Sequence, residues 1–225
     1  MRGAIFDLDG TIADTAADLL AAANVALGPH GLPALALPRD RVIAMKGGRS
    51  MVRRSLALAG REPEGAAADR LFAHLYPRLL DAYAGAIAVH TRPFQGLHAC
   101  LDALEADGWR LGVCTNKPEG LALSLLGALG LRDRFAAILG ADTLAVRKPD
   151  PEHFRETARR VGADPARSVM LGDTATDRET AANAGVPCVL IAHGQPRAPL
   201  AALAPEALAE GFAEIPATLA RLSPP

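Results

Sequence analysis

The chain opens on a short apolar run at residues 2–6, Arg-Gly-Ala-Ile-Phe, which stops at Asp7. Its length and its lack of helical spacing predict a buried strand. Residues 8–14 are polar around Gly10 and predict a loop. From Thr15 to Leu27 the apolar positions return at helical spacing, and Gly28-Pro29 ends that helix. Helical spacing then continues to about Ala84 with no convincing strand. Gly31-Leu32-Pro33, Gly47-Gly48 and Gly60-Arg61-Glu62-Pro63 divide this stretch, which is expected to be a small helical insert.

Around Thr91-Arg92-Pro93-Phe94-Gln95-Gly96 the pattern changes. A helix near 97–107 precedes a strand at 109–114. A helix at 119–129 leads to a strand at 136–140, a helix at 151–161 to a strand at 168–172, and a helix at 176–184 to a strand at 187–191. The Pro- and Ala-rich tail from 196 carries a short strand near 211–214 and a last helix near 215–222. Strands alternating with helices imply a parallel sheet covered on both faces. The expected organisation is therefore a doubly wound, Rossmann-like α/β core from residues 1–14 and 88–225, with a helical domain of residues 15–87 inserted after the first strand.

Composition narrows the classes. Half of the residues are hydrophobic, enough for a sizeable core, and the net charge is −1. That balance argues against nucleic-acid and anionic-membrane partners, which demand a basic surface. Cys100, Cys114 and Cys188 are odd in number and fit no metal-ligand spacing, so free thiols in a reducing compartment are expected. No leader-like h-region follows Met1, and no apolar run approaches the roughly 20 residues needed to cross a bilayer. A soluble cytoplasmic protein, monomer or homodimer, is the expectation. Three lysines, Lys46, Lys117 and Lys148, stand against 21 arginines. A lysine that survives such a bias is a candidate for a compact ammonium that arginine does not replace.

In parallel sheets, ligands bind beyond the carboxyl ends of the strands. There the sequence puts Asp7-Leu8-Asp9-Gly10-Thr11, Thr115-Asn116-Lys117, Arg147-Lys148-Pro149-Asp150 and Gly172-Asp173-Thr174-Ala175-Thr176-Asp177. Asp7, Asp9 and Asp173 converging at one edge need a cation to offset repulsion and lost solvation. Oxygen donors without His or Cys select Mg²⁺. A carboxylate nucleophile, Mg²⁺ and an anion-binding helix start are the parts of aspartyl-phosphate chemistry. Taken singly, each aspartate also reads as a turn or a helix cap. Asp142 and Asp150 read as loop or cap residues, Asp14 and Asp18 as capping or hinge residues, and the six histidines as packing or surface residues.

These four segments resemble, in order and spacing, the motifs of the haloacid dehalogenase-like hydrolase superfamily. The resemblance covers nearly the whole chain. It implies that Asp7 attacks phosphorus and that Asp9 protonates the leaving oxygen and later activates water. It implies that Thr115, Asn116 and Gly10 hold phosphate oxygens and that Lys148 neutralises the transferring group. Mg²⁺ would be held by Asp7, Asp9 (through its carbonyl) and Asp173, with Asp177 a further ligand or a brace for one. The insert resembles the cap that closes over small substrates in this superfamily.

Asp9 favours P–O cleavage, since the dehalogenase and phosphonoacetaldehyde hydrolase branches do not carry this acid/base aspartate. Thr115-Asn116-Lys117-Pro118, Leu129-Gly130-Leu131, Gly140-Ala141-Asp142-Thr143-Leu144 and Arg147-Lys148-Pro149-Asp150-Pro151 look most like phosphoglycolate phosphatase, which implies 2-phosphoglycolate as substrate. Lys46-Gly47-Gly48-Arg49 departs from that family's Gly-rich cap turn and partly resembles the cap of β-phosphoglucomutase. Lys46 and Arg49 are thus candidate contacts to a substrate anion. A phosphosugar mutase or sugar-phosphate phosphatase is the alternative. A non-catalytic phosphate-binding module is disfavoured by the presence of Asp7, Asp9, Lys148 and Asp173 together.

Overall fold

The computed structural model describes residues 1–222; the final three residues of the expected core lie outside the described residues. Six parallel strands form its sheet: β1 (Gly3–Phe6), β4 (Arg110–Cys114), β5 (Ala137–Leu139), β6 (Ser168–Gly172), β7 (Cys188–Ile191) and β8 (Ala207–Ala209). Their spatial order is β5-β4-β1-β6-β7-β8. The first strand of the chain is therefore central. Its register sets Phe6 beside Val113 on one side and Leu171 on the other. Asp7, Thr115 and Asp173 follow those partners at the same edge of the sheet.

Helices α5 (Leu97–Ala106), α6 (Glu119–Ala128), α7 (Pro151–Arg160), α8 (Ala175–Ala184), α9 (Arg197–Ala201) and α10 (Ile215–Leu222) complete this unit. Burial of both sheet faces explains why β1, β6 and β7 are apolar without alternation. One face packs Ile5, Met170 and Leu190 against Phe154 and Ala158 of α7 and Ala181 of α8. On the other, Phe6 meets Phe135 edge-on at 6.0 Å and Phe212 at 6.4 Å. Helix α7 starts on Asp150, whose side chain accepts from the Glu152 N–H, followed by Pro151 in the first turn.

The tail departs from expectation. The edge strand is β8 at Ala207–Ala209, whereas Phe212–Glu214 is a 3₁₀ turn. Within the segment expected as a strand at 211–214, Phe212 is fully buried and packs against Phe6.

The chain divides into two compact units, residues 1–13 with 93–225, and residues 14–92. The crossings fall at two short strands, β2 (Ala13–Asp14) and β3 (Arg92–Pro93). The second unit holds α1 (Ala16–Leu27), α2 (Arg41–Met45), α3 (Gly48–Leu58) and α4 (Ala66–Gly85) around Leu20, Leu27, Met51, Leu56, Leu75 and Leu79. Three acidic residues brace it. Asp18 accepts from the N–H groups of His90 and Thr91 and from the Thr91 hydroxyl. Buried Asp40 accepts from the Ala36 N–H and from Arg39 and Arg54, and its pKa is held at about 2, chiefly by Arg39. Asp14 pairs with both terminal nitrogens of Arg41, at 2.8 and 2.5 Å. Among the described residues, no helix is long and apolar enough to cross a membrane.

Candidate active site

Asp7 stands one residue past β1, its N–H still in the ladder with the Leu171 carbonyl at 2.8 Å. One side-chain oxygen accepts from the Leu8 N–H at 2.7 Å and lies 3.0 Å from Lys148 Nζ. Lys148 is also 2.6 Å from Asp177 Oδ1. The second Asp177 oxygen takes the Asp173 and Thr174 N–H groups and the Thr174 hydroxyl, closing a capping box at the start of α8. Both oxygens of Asp177 are thus engaged, and the residue is fully buried.

Asp173 accepts from the Thr11 hydroxyl at 2.8 Å. Gly10, at φ +82°, packs on the same carboxylate, and a Cβ there would stand 2.3 Å from Asp173 Oδ2. Only a residue without a side chain lets the loop after β1 press this close. Oxygens of Asp7, Asp173 and Asp177 lie within 4.8 Å of one another.

Three buried carboxylates around one ammonium are electrostatically unbalanced. Burial pushes the Asp7 carboxyl up to about 6; Lys148 opposes the rise and Asp177 adds to it. Burial, then Asp177 and Asp7, raise Asp173 as well. For Lys148, burial acts downward, but Asp177 and Asp7 outweigh it and the ammonium is held more firmly than usual. An oxygen-only donor set with excess negative charge suits a hard divalent cation.

Thr115 continues β4, its N–H bonded to the Leu139 carbonyl at 3.0 Å and its hydroxyl accepting from the Lys117 N–H. The Asn116 side chain donates to the Lys148 carbonyl at 3.0 Å, which ties the second strand-end segment to the third. Asp9 is held by a residue to which the sequence analysis assigned no role: Lys117 reaches both of its oxygens. The scarcity of lysine was the available signal.

The structure therefore brings Asp7, Asp9, Gly10, Thr115, Asn116, Lys148, Asp173 and Asp177 to one edge of the core sheet. Lys46 and Arg49 belong to the helical unit. Lys46 is exposed at the end of α2 and makes no ion pair among the described residues. Arg49 is paired with Asp69, its guanidinium 4.5 Å over the Phe72 ring. All three cysteines are buried, and burial lifts the Cys100 and Cys114 thiols to about 12, out of the reactive range.

A family model described as haloacid dehalogenase-like hydrolase matches residues 4–191. A phosphoglycolate phosphatase of Agrobacterium fabrum is 41% identical over 212 residues, which cover 94% of this chain and 89% of that protein. One of Mesorhizobium japonicum is 43% identical over 190 residues, 84% of this chain and 82% of that protein. The solved structure of a predicted phosphoglycolate phosphatase from Haemophilus somnus superposes with a TM-score of 0.79 at 26% identity, over 95% of each chain. With the match extending from β1 through β7, this chain belongs to the haloacid dehalogenase-like hydrolases.

Proposed function

We propose that the chain is a Mg²⁺-dependent phosphatase of small phosphorylated metabolites, with Asp7 as nucleophile and 2-phosphoglycolate as substrate. The observation that carries the mechanism is Asp7 itself: a buried carboxylate facing Lys148 at 3.0 Å, within a cluster of acidic residues. The substrate reading rests on the similarity to the phosphoglycolate phosphatases of Agrobacterium fabrum and Mesorhizobium japonicum.

In this mechanism an Asp7 oxygen attacks phosphorus, and the bond from phosphorus to the leaving oxygen breaks. Asp9 supplies the proton that the leaving oxygen takes. It then removes a proton from water, which attacks the same phosphorus and breaks its bond to Asp7, releasing inorganic phosphate. Lys148 keeps its charge throughout and offsets the negative charge of the transferring group. Asp177 fixes Lys148. Thr115 and the backbone at Asn116 and Gly10 receive phosphoryl oxygens. Asp7, Asp173 and the Asp9 carbonyl would hold Mg²⁺, which supplies charge neutralisation at those oxygens. The helical unit acts as the cap that excludes water.

Lys46, exposed and without an ion pair among the described residues, supports a second reading, a phosphosugar mutase or sugar-phosphate phosphatase whose substrate carries another anion. Phosphate release with and without Mg²⁺ separates them, on a panel of 2-phosphoglycolate, glucose 1-phosphate and other sugar phosphates. Preference for 2-phosphoglycolate supports the first reading, and isomer without free phosphate favours the mutase. No turnover of any ester with Mg²⁺ present would sink both.

A further inference from the structure

His193 lies two residues past β7, outside all four strand-end segments, yet it reaches the loop that follows β1. Its Nε2 is 2.9 Å from the Thr11 carbonyl oxygen. A carbonyl only accepts, so the imidazole proton sits on Nε2 and is donated. The ring lies flat on Phe94, centroids 3.7 Å apart and planes 2° from parallel, with Phe212 5.2 Å away. The Phe94 N–H in turn donates to the Ile12 carbonyl at 3.1 Å. Two consecutive carbonyls of the loop are therefore held, one by Phe94's backbone and one by the imidazole stacked on Phe94's ring.

His193 holds this place at φ 47°, in the left-handed region that side chains disfavour. Its N–H donates to the Glu210 carbonyl, so the strained residue is anchored to the end of β8. Strain at a non-glycine residue persists where its surroundings over-determine it, and here a hydrogen bond, a stack and a backbone tie do so.

The held carbonyl belongs to the residue whose hydroxyl donates to Asp173. We infer that His193 is a positioning residue: by fixing the Thr11 peptide it aims the Thr11 hydroxyl and so sets the orientation of the Asp173 carboxylate. The inference rests on the reading of Asp173 as a Mg²⁺ ligand. Groups that orient a ligand in this way govern metal affinity without touching the metal.

Titration calorimetry of the full chain with Mg²⁺, beside phosphate release, tests it. His193→Phe keeps a ring for Phe94 and removes the donor. It should raise the Mg²⁺ dissociation constant about ten-fold, while KM for the phosphate ester at saturating Mg²⁺ changes little. His193→Gln, which retains an N–H donor, should recover much of the affinity. Thr11→Val should weaken Mg²⁺ binding similarly, and adding His193→Phe to it should cost little more. A lowered thermal midpoint with an unchanged Mg²⁺ constant in His193→Phe would assign His193 to packing and overturn the inference. Wild-type protein labelled with ¹⁵N-histidine gives a test independent of whether variants fold. Its His193 proton should reside on Nε2, with a resonance that moves on adding Mg²⁺; residence on Nδ1 alone, or no movement, would overturn it. A wild type that binds no Mg²⁺ would overturn the metal reading as well, whereas normal wild-type binding with an unaffected variant overturns this inference alone.

Discussion

Lys117 Nζ lies 2.9 Å from one carboxylate oxygen of Asp9 and 3.0 Å from the other. The ammonium is almost wholly buried, so the contact is a low-dielectric ion pair at the carboxylate that the proposed mechanism uses as acid and base. Lys117 holds both Asp9 oxygens in place, so replacing it by Met frees that side chain to turn away and should lower kcat for an alkyl phosphate about 10²-fold, the lower end of an acid–base contribution. A nitrophenyl phosphate, whose leaving group needs no proton, should lose much less. Equal losses on both esters would show that Lys117 serves binding or folding and not Asp9.

Asp7 and Lys148 should separate activity from stability. Asp7→Asn is expected to reduce turnover by about 10⁴-fold or more, as loss of a nucleophile does. It also removes one of the repelling carboxylates, so the urea midpoint should hold or rise. Lys148→Ala abolishes turnover too, but strands Asp7 and Asp177 without their cation and should destabilise by about 3–5 kcal/mol. Full activity in Asp7→Asn would refute the covalent route.

His153 should make stability depend on pH. It is fully buried, with Nε2 donating to the Gly140 carbonyl at 3.0 Å and Nδ1 3.6 Å from the Cys114 sulfur. Burial, with the Lys148 charge adding, holds its pKa at about 4. The unfolded chain takes this proton below about pH 6.5, whereas the folded one refuses it until about 4. The contribution is complete above the upper value and is lost as pH falls through the window, up to about 3 kcal/mol in all. Asp7 and Asp173, both raised, act in the opposite direction. The test is therefore the difference between wild type and His153→Gln in urea midpoints at pH 7 and 4.5. Equal slopes would exclude His153 as the source.

Gly10→Ala combines a disfavoured φ with a Cβ 2.3 Å from Asp173. The strain alone costs about 1–3 kcal/mol. Displacement of Asp173 should also blunt the rise in thermal midpoint expected from Mg²⁺ binding at the proposed site; an undiminished rise would separate Gly10 from that site.

Lys46→Ala should raise KM for the true substrate about ten-fold, the worth of one charge-assisted hydrogen bond, with Mg²⁺ binding unchanged. Arg49→Ala should do less, because its guanidinium already serves Asp69 and Phe72. An unchanged KM in the Lys46 variant removes that residue from substrate recognition.

The fold was legible where local pattern decides it. Buried parallel strands are unbroken apolar runs, and the polar residues that stop them, Asp7, Thr115 and Asp173, mark the edge where the site forms. What escaped was set by distance in the chain. Lys117 meets Asp9 across 108 positions, and His193 meets Thr11 across 182. No periodicity records such a pairing. Strand β8 escaped for another reason: Ala-Leu-Ala has little preference for a strand and acquires it only beside Val189–Ile191.

The central position of β1 bears on how the protein is made. Gly3 lies beside Arg110 on one side and Ser168 on the other. A ribosome that has completed the helical unit has supplied neither neighbour. The strand that leads to Asp7 waits with both edges unpaired until β4 has followed, and its second edge stays open until β6 at Ser168–Gly172 is made. Translation thus delivers Asp7, the proposed nucleophile, before Lys148, Asp177 and the burial that set its pKa, so a chain arrested before them presents an ordinary exposed aspartate.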